Sequence, residues 1–367
     1  MFSLSFLTVP LIAAFATFGL AVVTDFQTVF FDRITVPAAL ASSTGYTSDV
    51  VVMRLADGMR EIERQASSEV EARQLRFKGD HSAVNVIGDF LKVTPLIRVA
   101  QGAAGLIPFT FEGELVSNGR ELELRLRGHD AHHRMIFLSE KAPLDQFPTL
   151  INKMAFEIMR EIDPYLLAAY QFKQDYRQRD FTDTLEIIQR EVARSHGHPA
   201  PEVKFLENLW GIVLYQQGDR SAAIHKFEEA LHIDPKFLSP RLNWGVVLAR
   251  QGDHDQAIEK FKEVVKFGSS NPGAANTVAA AYTEWGFSLA LLSRWDEAFA
   301  KFQKARAVNP NFAEVYSSWA EVLSVLGRKD EAAKMTAHAL ELAPNEVIYT
   351  ENLIGPVQNL PAAATIQ

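Results

Sequence analysis

Four tryptophan-centred landmarks in the second half of the chain constrain its fold more than any other feature. Trp210-Gly211, Trp244-Gly245, Trp285-Gly286 and Trp319-Ala320 recur at separations of 34, 41 and 34 residues. Each pair is followed by the same series of signals: LYQQGDRSAAIHKFEEALHIDP, LARQGDHDQAIEKFKEVV, LALLSRWDEAFAKFQKARAVNP and LSVLGRKDEAAKMTAHALELAP. Phased repetition of this kind makes each copy one supersecondary unit whose apolar face is covered by its neighbours.

The residue types follow from packing two short antiparallel helices closely. Small residues at Gly211, Gly245, Gly286 and Ala320 on the first helix of each unit face Ala223, Ala257, Ala298 and Ala332 on the second, where larger side chains would wedge the helices apart. Leu214, Leu248, Leu289 and Leu323 with Phe227, Phe261 and Phe302 fill the remaining space at helical spacing. Gly218-Asp219 and Gly252-Asp253 end the first helix, and Pro235, Pro310 and Pro344 stop the second.

With its 34-residue period, this block resembles the tetratricopeptide repeat family over residues 204–346, in units of 204–237, 238–271, 279–312 and 313–346. The pattern slips by seven residues between the second and third units, at FGSSNPGAA, where a loop is expected to bend or open the array. Thr336 replaces the usual Phe in the fourth unit. The resemblance implies a concave face, lined by the first helices, that receives a peptide. Carried onto this chain, that face offers Phe205, Asn208, Ile212, Tyr215, Leu242, Val246, Arg250, Thr283, Phe287, Ser317 and Glu321. The Lys/Asn/Arg clamp that some family members use for a terminal carboxylate is not reproduced, so a mainly apolar peptide or helix is the expected occupant. Packing between neighbouring units is the competing role for each of these side chains.

Ahead of the array, Leu166 to Ser195 reads as a further helical hairpin with an apolar stripe of Leu185, Ile188 and Val192. It lacks the small-residue landmarks and is expected to be a capping pair within 164–203, because terminal units are atypical. The tail 347–367 contains LPAAATIQ, a composition without a core.

Residues 26–163 switch period repeatedly. FQTVFFDRITV is strand-like, and Thr47, Ser48 or Asp49 can cap a helix with Val51, Val52, Leu55, Met59, Ile62 and Ala66 on one face. A strand at Arg73 to Lys78 and a helix at Ser82 to Leu91 are expected next. FTFEGELV and ELELRLRG flank Ser117-Asn118-Gly119-Arg120, and Asn-Gly supplies the positive φ angles of a tight hairpin. RMIFLSE adds a strand, and Phe147 to Ile162 an amphipathic helix. The expected order is βαβαβββα, an α+β layer of helices on one sheet. With its G-E-L-x-x-N-G-R-E-L-x-L-x-L-R core and closing helix, the segment resembles the TolB-type amino-terminal domain. That resemblance implies a protein-contacting envelope domain, found ahead of such repeats in bacterial proteins that include relatives of adenylate cyclases.

Leu4 to Val23 carries no charged side chain. At about 1.5 Å per residue it measures about 30 Å, enough to cross a bilayer core. No basic residue precedes it, and Leu20 to Val23 makes a poor cleavage site. An uncleaved transmembrane anchor over 1–25 is therefore expected, with the bulk of the chain outside the cytoplasm of a bacterial inner membrane. A buried amino-terminal helix is the alternative.

Chemistry is harder to find. The absence of cysteine excludes disulfides and thiolate sites, and the net charge of −8, with both signs interspersed, argues against nucleic acid as a partner. No phosphate loop, G-x-G-x-x-G, H-E-x-x-H or G-x-S-x-G pattern occurs. His129, Asp130, His132 and His133 form the densest ligand-type cluster, against which a polar exposed turn is the simpler reading, because a closed metal site needs four fixed ligands. No cofactor and no catalytic residue is expected. The sequence thus points to a non-enzymatic, membrane-anchored adaptor that holds a protein. The other reading is a regulatory subunit whose α+β domain binds a small ligand or metal.

Overall fold

A computed structural model describes residues 29–66, 109–130, 133–195 and 202–343. The chain divides into two compact units, Met1–Lys173 and Gln174–Gln367.

In the first unit, β1 (Val29–Thr35), β2 (Phe109–Ser117), β3 (Glu121–Asp130) and β4 (Met135–Pro143) make one sheet in that spatial order. β1 lies parallel to β2, and the other pairs are antiparallel. Strict alternation along β1 would turn Ile34 outward after Val29 and Phe31. A register shift between Phe31 and Ile34 returns it to the core, and all three side chains are buried. Leu122, Leu124 and Leu126 of β3 face the same side, where α2 (Ser48–Ala66) and α3 (Phe147–Ile162) pack on each other and on the sheet. The opposite face is wet and carries charge pairs across strands, Arg127 to Glu112 at 2.8 Å and Arg125 to Glu114 at 3.3 Å. Hydrogen bonds from Arg125 and Ser139 hold the Glu123 carboxyl down to about 2.

After Pro37 comes a short helix, α1 (Ala38–Thr44), which buries Leu40 and ends at Gly45 with φ 77°. One local feature differs from expectation. In the hairpin only Gly119 has positive φ. Asn118 instead accepts hydrogen bonds at its carboxamide oxygen from the N–H groups of Arg120 and Glu121, at 3.0 and 2.8 Å. The strand and helix expected within 73–91 lie outside the described residues.

After α4 (Pro164–Gln178) comes α5 (Thr182–Arg194). The buried stripe of α5 is Thr184, Ile187, Ile188, Glu191 and Val192, with Leu185 only partly covered. Four helix pairs follow: α6 (Val203–Gln216) with α7 (Arg220–Ile233), α8 (Leu238–Gln251) with α9 (His254–Gly268), α10 (Ala275–Leu291) with α11 (Trp295–Val308), and α12 (Ala313–Val325) with α13 (Lys329–Leu342). The first helices α6, α8, α10 and α12 pack on one another in turn, and each second helix packs on the first helices beside it. The turn between paired helices uses a left-handed residue in every unit: Gly218, Gly252, Ser293 and Gly327.

The slip between the second and third pairs does not open the array. Pro272–Ala274 form a single 3-10 turn, capped by the Asn271 side chain, and α10 begins early, so part of the insertion lengthens the helix. α9 packs directly along α10, and a Cβ at Gly268 would meet Val278 Cγ2 at 2.5 Å.

The membrane anchor is corrected. Among the described residues no helix is long and apolar enough to cross a membrane, and Leu4 to Val23 lies outside them. The longest described helix, α2, carries Arg54, Asp57, Arg60 and Arg64 on its exposed side, as a one-sided helix packed on a sheet must. The architecture is a small sheet unit followed by a helical array, and the single-pass, extracytoplasmic placement built on the anchor falls with it.

Candidate functional site

The four first helices bring together a set of partly covered polar groups, one from each. Tyr215 on α6, Arg250 on α8, Glu284 on α10 and Glu321 on α12 share one electrostatic neighbourhood. Burial pushes the Arg250 guanidinium down, and Glu284, Tyr215 and Glu321 oppose that shift. Burial likewise raises the carboxyls of Glu284 and Glu321, with Arg250 pulling both back and Glu284 adding to the rise at Glu321. Tyr215 is raised by burial, against the pull of Arg250 and Arg220. Arg250 thus attracts both carboxyls in a partly dehydrated setting.

Of the residues expected on this face, Tyr215, Arg250 and Glu321 belong to the set, and Phe205 and Ser317 are partly accessible. Asn208, Ile212, Leu242, Val246, Thr283 and Phe287 are buried. Asn243 Nδ2 donates to Asn208 Oδ1 at 3.0 Å, tying α8 to α6, while the Thr283 hydroxyl donates to the Ala279 carbonyl within its own helix. Phe205 meets Phe237 edge-on at 5.0 Å, and Lys204 covers both rings. Glu284 was not singled out from the sequence. Its signal was available, since it is the one charged residue between Lys266 and Arg294.

Among the described residues the histidine cluster does not bring three ligands together. His129 and His133 rings lie 5.6 Å apart, but Asp130 accepts from the Arg134 backbone N–H and guanidinium, both at 3.0 Å. Arg134 continues to Glu161 at 2.9 Å. His132 lies outside the described residues, and among those described no group of three ligand-type side chains could hold a metal ion.

Among solved structures, the chain is similar to a thermophilic tetratricopeptide-repeat protein of Thermus thermophilus, at 24% identity over 52% of this chain and 98% of that one, with a TM-score of 0.40. It is also similar to pilF of Pseudomonas aeruginosa, at 13% identity over 52% and 79%, with a TM-score of 0.41. A third similarity, to MamA, has 17% identity over 47% and 93%, with a TM-score of 0.35. No curated protein sequence matches significantly. The family match lies within the array and leaves the TolB-type resemblance of the first unit unconfirmed. Residues 208–272, covering most of the first two helix pairs, match the family model of the tetratricopeptide repeat.

Proposed function

We propose that the chain is a non-catalytic adaptor whose first-helix face holds a segment of another protein. The observation that carries this reading is the set Tyr215, Arg250, Glu284 and Glu321, each supplied by a different first helix, with two carboxyls raised by burial and drawn to Arg250. Proteins built from tetratricopeptide repeats typically act as protein-binding scaffolds, and the family match within the array supports the same reading. Ile212, Val246 and Phe287 are buried on the first helices, which pack on one another in turn. The mainly apolar occupant expected from the sequence is refined accordingly: the preferred segment carries a Lys or Arg that approaches Glu284 and Glu321.

The test compares native affinity purification of the full chain with that of a Glu284→Gln/Glu321→Gln variant, quantified by mass spectrometry. A partner enriched with the parent and lost with the variant, while the helical circular dichroism is unchanged, is the expected result. Equal recovery of all proteins by both chains overturns the reading.

A further inference from the structure

The four helix pairs are internal controls for one another, and the third departs from the first two at one spot. In the first pair Lys226 lies over the Trp210 ring at 3.7 Å and pairs with Glu229, one helical turn along, at 2.5 Å, and with Glu207 at 3.1 Å. In the second pair Lys260 lies over Trp244 at 3.7 Å, and Glu263 at the corresponding place is 3.8 Å from it and 3.0 Å from Arg241. The third pair keeps the first half of this arrangement, with Lys301 over Trp285 at 3.4 Å. Where the glutamate should follow stands Lys304, over Tyr282 at 5.8 Å. Tyr282 stacks on Trp285 at 6.1 Å, so two ammonium groups sit against adjoining rings. Neither lysine makes an ion pair among the described residues, and Lys301 is pushed down by burial and then by Lys304, against the pull of Glu297.

Beside Lys301 a cleft of about 410 Å³ opens between α9 and the α10–α11 pair, with apolar walls from Ile258, Trp285 and Leu289. Two of its three carboxylates are paired with basic residues of the same cleft. Glu297 accepts two bonds from Arg294 at 2.7 Å, and Glu259 pairs with Lys262 at 2.6 Å. We propose that this cleft docks an acidic peptide segment of a partner, whose Asp or Glu side chain reaches past Lys301 at the cleft's end to Lys304 outside its lining, taking between the two lysines the place that Glu229 and Glu263 take in the first two pairs. An apolar side chain of the same segment lies along the partly exposed Trp285. A polyanion such as nucleic acid fits less well, because Asp255, Glu259 and Glu297 line the same cleft and repel a continuous run of phosphates. The site is separate from the first-helix set and does not depend on it.

The test uses the full chain and a fluorescein-labelled, end-blocked peptide Gly-Leu-Glu-Phe-Gly, read by anisotropy at low salt. Binding is expected, weakened at least about tenfold when the peptide Glu becomes Gln, as for loss of a charge-assisted bond. Lys304→Glu, which restores the residue of the first two pairs, should abolish binding and raise the unfolding midpoint. Lys304→Gln should weaken binding while leaving the helical signal intact, and Lys260→Met should leave binding unchanged. Indifference to the peptide Glu, unchanged binding by Lys304→Glu, or no binding at all overturns the proposal. So does full displacement of the peptide by millimolar inorganic phosphate, or tighter binding of a single-stranded oligonucleotide.

Discussion

A Cβ placed on Gly211 would lie 2.4 Å from Cε1 of Phe227, the ring that fills the space between α6 and α7. The same relationship holds at Gly245 with Phe261, at 2.6 Å, and at Gly286 with Phe302, at 2.8 Å. In the fourth pair the small residue is Ala320, and the ring is replaced by an exposed Thr336. Phe and Gly therefore change together: where the ring is absent, a methyl is accommodated. Gly211→Ala should cost about 2 kcal/mol, the usual scale of overpacking, whereas Ala320→Gly should cost only the backbone entropy of a helical glycine, about 1 kcal/mol. Urea unfolding of both variants checks the difference, and a larger loss at position 320 would show that the ring does not set the requirement.

That coupling explains why the array was legible in the sequence. The Trp, the small residue and the Phe occupy fixed places in a unit because each is needed by the next, so their phase survives substitution elsewhere. The first-helix set was only partly legible. Tyr215, Arg250 and Glu321 fell on expected positions, but Asn208, Leu242 and Val246 are buried, Asn208 bonded to Asn243 of the next unit, and helical spacing alone does not separate buried from accessible places. Glu284 lies beside the expected Thr283, one place from the position counted in each unit. α1 has no counterpart in the sequence reading, because a Ser-Ser-Thr-Gly run suits a loop as well as a helix end.

Ser293 adopts φ 62° in the turn between α10 and α11, where the other three pairs use glycine. A left-handed conformation costs a residue with a Cβ about 1 kcal/mol or more. Ser293→Gly should therefore stabilise the array by about 1 kcal/mol, offset slightly by the greater freedom of glycine in the unfolded chain. A rise in thermal midpoint is the expected outcome, and a fall would mean that the serine makes a contribution beyond its backbone angle.

Asp175 on α4 is buried and accepts from both the backbone N–H and the hydroxyl of Thr184 on α5, at 3.0 and 2.6 Å. Asp180 separately caps the start of α5 through Thr182. Asp175→Ala removes the acceptor of two buried donors, a loss of about 2 kcal/mol. Hydrogen exchange at the Thr184 amide should accelerate more than at Thr182, whose partner is intact. Equal acceleration at both would indicate general fraying of α5.

The paired carboxyls of the first-helix set give the chain a pH dependence with a definite sign. Burial raises Glu284 in the folded state above its unfolded value, and Arg250 only partly reverses this. A carboxyl raised in this way binds its proton more tightly when folded, so its contribution is fully present below the unfolded value and is lost as pH rises through the raised one. Glu284→Gln keeps the shape and removes the titration. The variant should match the parent in stability near pH 4 and exceed it near pH 8, with the gap opening across the raised carboxyl range. Removing Glu284 also removes its repulsion on Glu321, so the Glu321 carboxyl should titrate at lower pH in the variant. Urea unfolding across pH, with carboxyl titration by NMR, measures both effects, and a variant less stable than the parent at pH 8 would show that the attraction of Arg250 outweighs the cost of burial.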